Sequence, residues 1–233
     1  MKKKTAAAVL SAVMALSIPA VSNASLDSRE INIVPIAAYT AQGNEQALKK
    51  ALTEGLNNGL TVNEIKEVLV QMYAYTGFPR SLTGLGVFVN LLKERKASGI
   101  NDKVGRGPTP LPKGTNIREL GTKVQTELIG RPAAGPVYDF SPEIDTYLKE
   151  HLFGDIFASD VLDHQAREIV TVSALASLPA PTQLRSHLNV CLNVGLTPDD
   201  LNEFVKVLRD KVGSEEADLA NQALKTVLQS RKK

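Results

Sequence analysis

The stretch Leu56-Asn57-Asn58-Gly59-Leu60-Thr61 returns 136 residues later as Leu192-Asn193-Val194-Gly195-Leu196-Thr197, and this repetition decides the fold class. Glycine suits the left-handed conformation that closes a helix, and threonine suits the cap of the next one. Thr61 has Glu64 three residues on, the spacing of a capping box, and Thr197 is followed by Pro198, where a missing N–H costs nothing. Each stretch therefore predicts a helix, a tight turn and a second helix.

Upstream, Arg29-Glu30-Ile31 returns as Arg167-Glu168-Ile169, which requires a two-residue length difference between the copies; downstream, Gly77 falls opposite Gly213. Apolar spacing predicts helices near 27–41, 44–58, 62–75, 79–97, 116–128, 142–152, 163–178, 182–194, 198–211 and 214–230, with no alternating strand pattern. The fold class is all-α, with copies at 25–98 and 142–233. Between them, 99–141 carries Gly105, Gly107, Pro108, Pro110, Pro112, Gly114, Pro132 and Pro136 and reads as a linker holding one short helix. Pro35 sits inside the first helix, where a kink or break is expected.

Residues 1–24 have the form of an export signal. Lys2-Lys3-Lys4 precede an uncharged run from Thr5 to Ile18, and Ser22-Asn23-Ala24 supplies the small residues of a cleavage site, which implies a periplasmic or secreted protein. The apolar run is short for a membrane span, so no membrane association is expected after cleavage. Those three lysines account for the excess of 27 basic over 25 acidic residues. The remainder is close to neutral with interleaved signs, which gives no footprint for nucleic acid. A single cysteine, Cys191, excludes disulfide chemistry within the chain.

Positions that differ between the copies show where chemistry can reside. His187 lies inside the apolar stripe of Leu184, Leu188, Cys191 and Leu192, whereas its counterpart is Ala51. It is either a core histidine bonded to a carbonyl or a functional imidazole. Glu168 shares a face with Val172 and Leu175. It either stabilises a helix start, as Glu30 suggests, or meets His187 across a helical hairpin to form a proton shuttle. Arg185, two residues before His187, is a solvated cation or a carboxylate clamp. The aromatic segment Tyr73-Ala74-Tyr75-Thr76-Gly77-Phe78-Pro79-Arg80 occurs in the first copy alone, so one composite pocket per chain or per chain interface is expected. His151, His164 and His187 are scattered, which argues against a metal site, and no phosphate loop or serine elbow is present.

Leu152-Phe153-Gly154-Asp155-Ile156-Phe157, Leu162-Asp163, Arg167-Glu168, Arg185-x-His187 and Asn193-Val194-Gly195-Leu196-Thr197 together resemble the carboxymuconolactone decarboxylase family, as does the Tyr-x-Gly-x-Pro segment within Tyr73 to Arg80. The resemblance implies two alkylhydroperoxidase-like helical repeats and assembly into rings, here a trimer of two-repeat chains. In the peroxidase branch of that fold a Cys-x-x-Cys pair lies between a glutamate and a histidine. Glu168 and His187 match the latter two, but Ala180 and Gln183 stand at the cysteines, so disulfide-type peroxidase activity is not expected. Phe153 and Phe157 stand where the lactone decarboxylases typically have tryptophan.

The expected activity is acid/base lyase chemistry on a small carboxylated or lactone-like molecule, with no cofactor and no metal. His187 would move the proton and Glu168 would orient it. Arg185 or Arg80 would bind carboxylate, and Tyr73, Tyr75 and Phe157 would form an apolar wall. The alternatives are a non-catalytic periplasmic ligand-binding or scaffold protein and a peroxide-related enzyme relying on Cys191 alone.

Overall fold

The two Gly-Leu-Thr turns take the conformations their composition demands. Gly59 and Gly195 have φ of 103° and 99°. Thr61 and Thr197 each close a capping box, with Glu64 and Asp200. The computed structural model describes residues 26–178 and 180–232, and every regular element among them is helical; the leader expected at 1–24 lies outside the described residues.

The first copy contributes α1 (Ser28–Gln42), α2 (Glu45–Asn57), α3 (Val62–Gln71) and α4 (Tyr73–Ala97). Then come α5 (Ile117–Ile129), the short α6 (Pro136–Phe140) and α7 (Pro142–Thr146), and a π-helical segment, Tyr147–Ile156. The second copy adds α8 (His164–Ala176), α9 (Pro181–Asn193), α10 (Pro198–Lys211) and α11 (Ser214–Ser230).

The starts at Ser28, Glu45 and Val62 stand 136 residues before those at His164, Pro181 and Pro198. Asp27 caps α1 as Asp163 caps α8. The copies thus align without a gap, and the two-residue difference inferred from Arg-Glu-Ile is corrected: those letters recur out of register. The counterpart of Glu168 is Asn32, and that of Arg167 is Ile31. The expected break at Pro35 is also corrected, since α1 runs through it. The missing N–H there deprives one carbonyl, that of Ile31, of its helical partner, and the helix is buried on most sides. The real interruption is in α4, where Gly77 takes φ 73° and ψ 168° and swings the chain before Pro79.

α1 and α8 pack against each other at the centre, each pairing with the next helix of its own copy. The third helices cross over, α3 reaching α8 and α10 reaching α1. A continuous core results, with Ile33, Ile36, Leu52 and Ile65 meeting Ile169, Val172, Leu188 and Phe204, all fully buried. Each such side chain contributes about 1.5–3 kcal/mol by leaving water.

Segment 99–141 is fastened down. The N–H groups of Val62 and Asn63 donate to the carbonyls of Lys103 and Val104, and Thr109 N–H donates to Asp160. α5 lies on the π-helical segment at a glycine contact. A Cβ on Gly121 would fall 1.6 Å from the Lys149 carbonyl oxygen, and one on Gly154 would fall 2.6 Å from Ile117 Cγ2. Val124, Leu128, Phe153, Ile156, Phe157 and Val190 form a second, smaller core there, so α5 and the π-helical segment roof α9.

Candidate functional site

α8 and α9 form the hairpin that decides the site. Leu184, Leu188 and Cys191 turn one face of α9 into the core, and His187 sits at the edge of that face with its side chain 20% exposed. Opposite it, Glu168 is 1% exposed. His187 Nδ1 donates to Glu168 Oε2 at 2.9 Å. This contact fixes the neutral ring as the Nδ1–H tautomer and leaves Nε2 as the basic nitrogen. Glu168 is the fifth residue of α8, too far in to cap it, and its Oε1 is buried without a partner among the described residues.

The aromatic segment of the first copy divides at the Gly77 kink. The ring of Tyr75 stands edge-on to that of His187, with centroids 6.2 Å apart. Thr171 Oγ1 donates to the Tyr75 hydroxyl at 2.9 Å. Burial, helped by the Glu168 carboxylate, pushes that phenol far above its ordinary value, so it stays protonated. Behind Thr171 a buried polar chain continues. Gln71 Nε2 donates to Thr171 Oγ1 at 3.1 Å, Arg167 Nη1 to Gln71 Oε1 at 3.1 Å, and Arg167 Nη2 to Glu67 Oε2 at 2.7 Å. Arg167 is 0% exposed and lies over the Phe157 ring. Glu67, Gln71 and Tyr75 come from the first copy, and Arg167, Thr171, Glu168 and His187 from the second.

His187 also lines a cavity of about 420 Å³ under the roof, with Gln125 and Ile129 from α5, Arg131 and Tyr138 from the segment after it, and Leu152 and Phe153 from the π-helical segment. Gln125 is 3% exposed and its Oε1 has no partner among the described residues, which leaves a buried amide for a ligand to satisfy. Arg131 is the sole cation lining this cavity among the described residues.

Of the residues expected at the site, Glu168, His187 and Tyr75 come together and the others do not. Tyr73 stacks on Phe78 and faces a different cavity, and Phe157 is buried beneath Arg167. The apolar wall expected from Tyr73, Tyr75 and Phe157 is therefore corrected to one built mainly from the roof. Arg185 donates to Thr182 and does not line the cavity; Arg80 is exposed and lies near Gly43, at the α1–α2 turn. The expected place of both beside His187 is thus corrected: the arginine that lines this cavity is Arg131. Gly130 closes α5 in the left-handed conformation just before Arg131, and no sequence periodicity points that arginine at His187. Cys191 is fully buried, and burial beside Glu168 raises its thiol well above the ordinary value, so a reactive thiolate is disfavoured. Among the described residues no three His, Cys, Asp or Glu side chains converge as metal ligands.

The sequence pattern of the carboxymuconolactone decarboxylase family matches residues 7–89 and 142–226, more than half of the chain. The chain belongs to the carboxymuconolactone decarboxylase family. The first match begins at Ala7, inside the stretch whose composition fits an export signal, and the second at Pro142, where α7 starts. Both copies are thus family repeats joined in tandem, with Glu168 and His187 in the second. The chain is also similar to the 4-carboxymuconolactone decarboxylase of Acinetobacter baylyi, 28% identical over 89 residues. That match covers 36% of this chain and 66% of that enzyme, a little under two thirds of its length.

Proposed function

We propose that the protein is an acid/base lyase acting on a small carboxylated or lactone-like molecule bound under the roof. The observation that carries this reading is the Glu168–His187 hydrogen bond at the edge of a cavity. A carboxylate that holds Nδ1–H keeps Nε2 turned outward to take a proton and stands beside the imidazolium that then forms. Arg131 receives the substrate carboxylate at the rim, and Gln125 bonds a carbonyl or hydroxyl at the far end. Leu152 and Phe153 keep water from the reacting carbon. The similarity to a lactone decarboxylase supports this class of substrate, and the buried, protonated Cys191 speaks against thiol peroxidase chemistry. The same reading takes residues 1–24 as an export leader. It also takes the exposed apolar residues of α4, Phe78, Leu82 and Val89, as compatible with assembly of chains into a ring.

The test is turnover of γ-lactone carboxylic acids by purified protein, followed as carbon dioxide release and ring opening. His187→Ala is expected to lower turnover about 100-fold or more. Equal rates in wild type and His187→Ala would sink the assignment. A ligand that raises thermal stability but is never consumed would convert the site into a binding site.

A further inference from the structure

A second cavity stands apart from the one that His187 lines. It occupies about 500 Å³ on the opposite side of the π-helical segment, where α3, the start of α4 and residues 108–111 close around it. That volume lies within the ordinary range of small-molecule sites. Its walls are apolar, with Val70, Leu82, Leu85 and Leu111, and Tyr73 stacks on Phe78 at 4.2 Å between centroids to present an aromatic face. Two polar features converge on it. Among the described residues, His151 Nδ1 bonds Asp155 Oδ2 at 3.0 Å and keeps Nε2 without a protein partner, while Ser159 Oγ is buried without a partner. Phe78 and Leu82 are each 62% exposed, so apolar surface rims the entrance.

The charge of the lining narrows the occupant. Glu67 and Asp155 are its carboxylates, and no lysine or arginine lines it among the described residues. An anionic ligand would meet negative charge without a cationic partner. A permanent cation gains little, because Arg167 already neutralises Glu67 and His151 already engages Asp155. A neutral ring has the Tyr73–Phe78 face to stack on, and a hydroxyl on that ring satisfies Ser159 and accepts from or donates to His151. We infer that this cavity is a second ligand site, separate from the Glu168–His187 site, that takes a neutral hydroxylated aromatic molecule of the phenol class.

The experiment titrates the purified full chain with 4-methylphenol, benzoate and phenyltrimethylammonium by calorimetry, alongside Leu82→Asp and His187→Ala. Leu82 is exposed, so its replacement leaves the core untouched, as circular dichroism will check. Saturable 4-methylphenol binding is expected, at least tenfold tighter than either ion, weakened at least tenfold by Leu82→Asp and unchanged by His187→Ala. Absence of saturable binding, or binding of an ion as tight as the phenol, overturns the inference. So does a phenol site lost with His187→Ala but kept in Leu82→Asp. Gel filtration supplies the remaining arm: if Leu82→Asp dissociates an oligomer and no phenol binds the wild type, this face is a chain-to-chain interface instead.

Discussion

The chain contains the same site twice, once furnished and once stripped. Around His187, α3 and α4 of the first copy meet α8 of the second, and Tyr75 reaches His187 on α9; at the mirrored place, α10 of the second copy meets α1 of the first, and Lys211 reaches Glu54 on α2. A cleft exists there too, about 450 Å³, lined by Pro35, Tyr39, Lys50, Ala51, Glu54 and Lys211. Position by position it lacks what the other has. Ala51 stands for His187, Asn32 for Glu168, Pro35 for Thr171, Ile31 for Arg167, Val207 for Gln71 and Lys211 for Tyr75. Lys211 instead pairs with Glu54 at the surface, and its carbonyl accepts from the Tyr39 hydroxyl. One helical frame therefore tolerates both a cleft edged by surface charges and a densely polar, buried filling. What distinguishes the polar one is that almost every donor in it has an acceptor, as burial demands.

The largest effect that tests this contrast is on stability. Arg167→Ala strands Glu67 and Gln71 in the interior and is expected to cost about 3–5 kcal/mol, the usual penalty for breaking a buried ion pair. Ile31→Ala, at the half-buried counterpart, should cost only about 1–2 kcal/mol. Urea denaturation of the two variants gives the comparison, and equal losses would mean that the polar filling is no more integral than its counterpart.

Next in size is a pH effect confined to the second copy, where Cys191 occupies the place of Gly55. Its thiol is held protonated by burial and by Glu168, whereas in the unfolded chain it ionises near pH 8.5. The folded value is the higher one, so the associated stability is intact below about pH 8.5 and declines as the pH rises beyond it, by up to about 1.4 kcal/mol per unit. The stability advantage of wild type over Cys191→Ala should shrink between pH 8 and 10. A constant difference across that range would show that the thiol titrates alike in both states.

The smallest expected effect lies at the Tyr75 and Lys211 pair. Tyr75→Phe removes one buried hydrogen bond to Thr171 and should cost about 1 kcal/mol. Lys211→Met removes a surface ion pair and should cost no more than about 0–1 kcal/mol. Thermal unfolding of both sharpens the contrast if the order holds and breaks it if Lys211 proves the costlier loss.

Much of the frame was legible before any coordinates. Threonine caps, glycine closures and apolar spacing are local properties, and they placed most helix starts within a residue or two. The π-helical segment was not legible, because its widened turns depend on the Gly121 contact from another helix. The false register at Arg29-Glu30-Ile31 arose because matching letters say nothing about which carboxylate caps a helix; Glu30 does, and Glu168 does not. At the site, the His187 and Glu168 proximity followed from a short hairpin. Arg131 and Gln125 did not, since their approach depends on how the roof settles on α9, and no sequence spacing encodes that.

The glycine contact under the roof carries one further consequence. Because Gly121 leaves no room for even a methyl group beside the Lys149 carbonyl, the angle at which α5 crosses its support is locked, while the side chains hanging from it are not. On the reading proposed for the site, the groups that handle the proton belong to the repeated frame, and those that select the ligand belong to an attached cover. On that reading, rewriting the cover, residues 125 to 138 with Leu152 and Phe153, is enough to change the ligand, as a lens is changed on a fixed camera body.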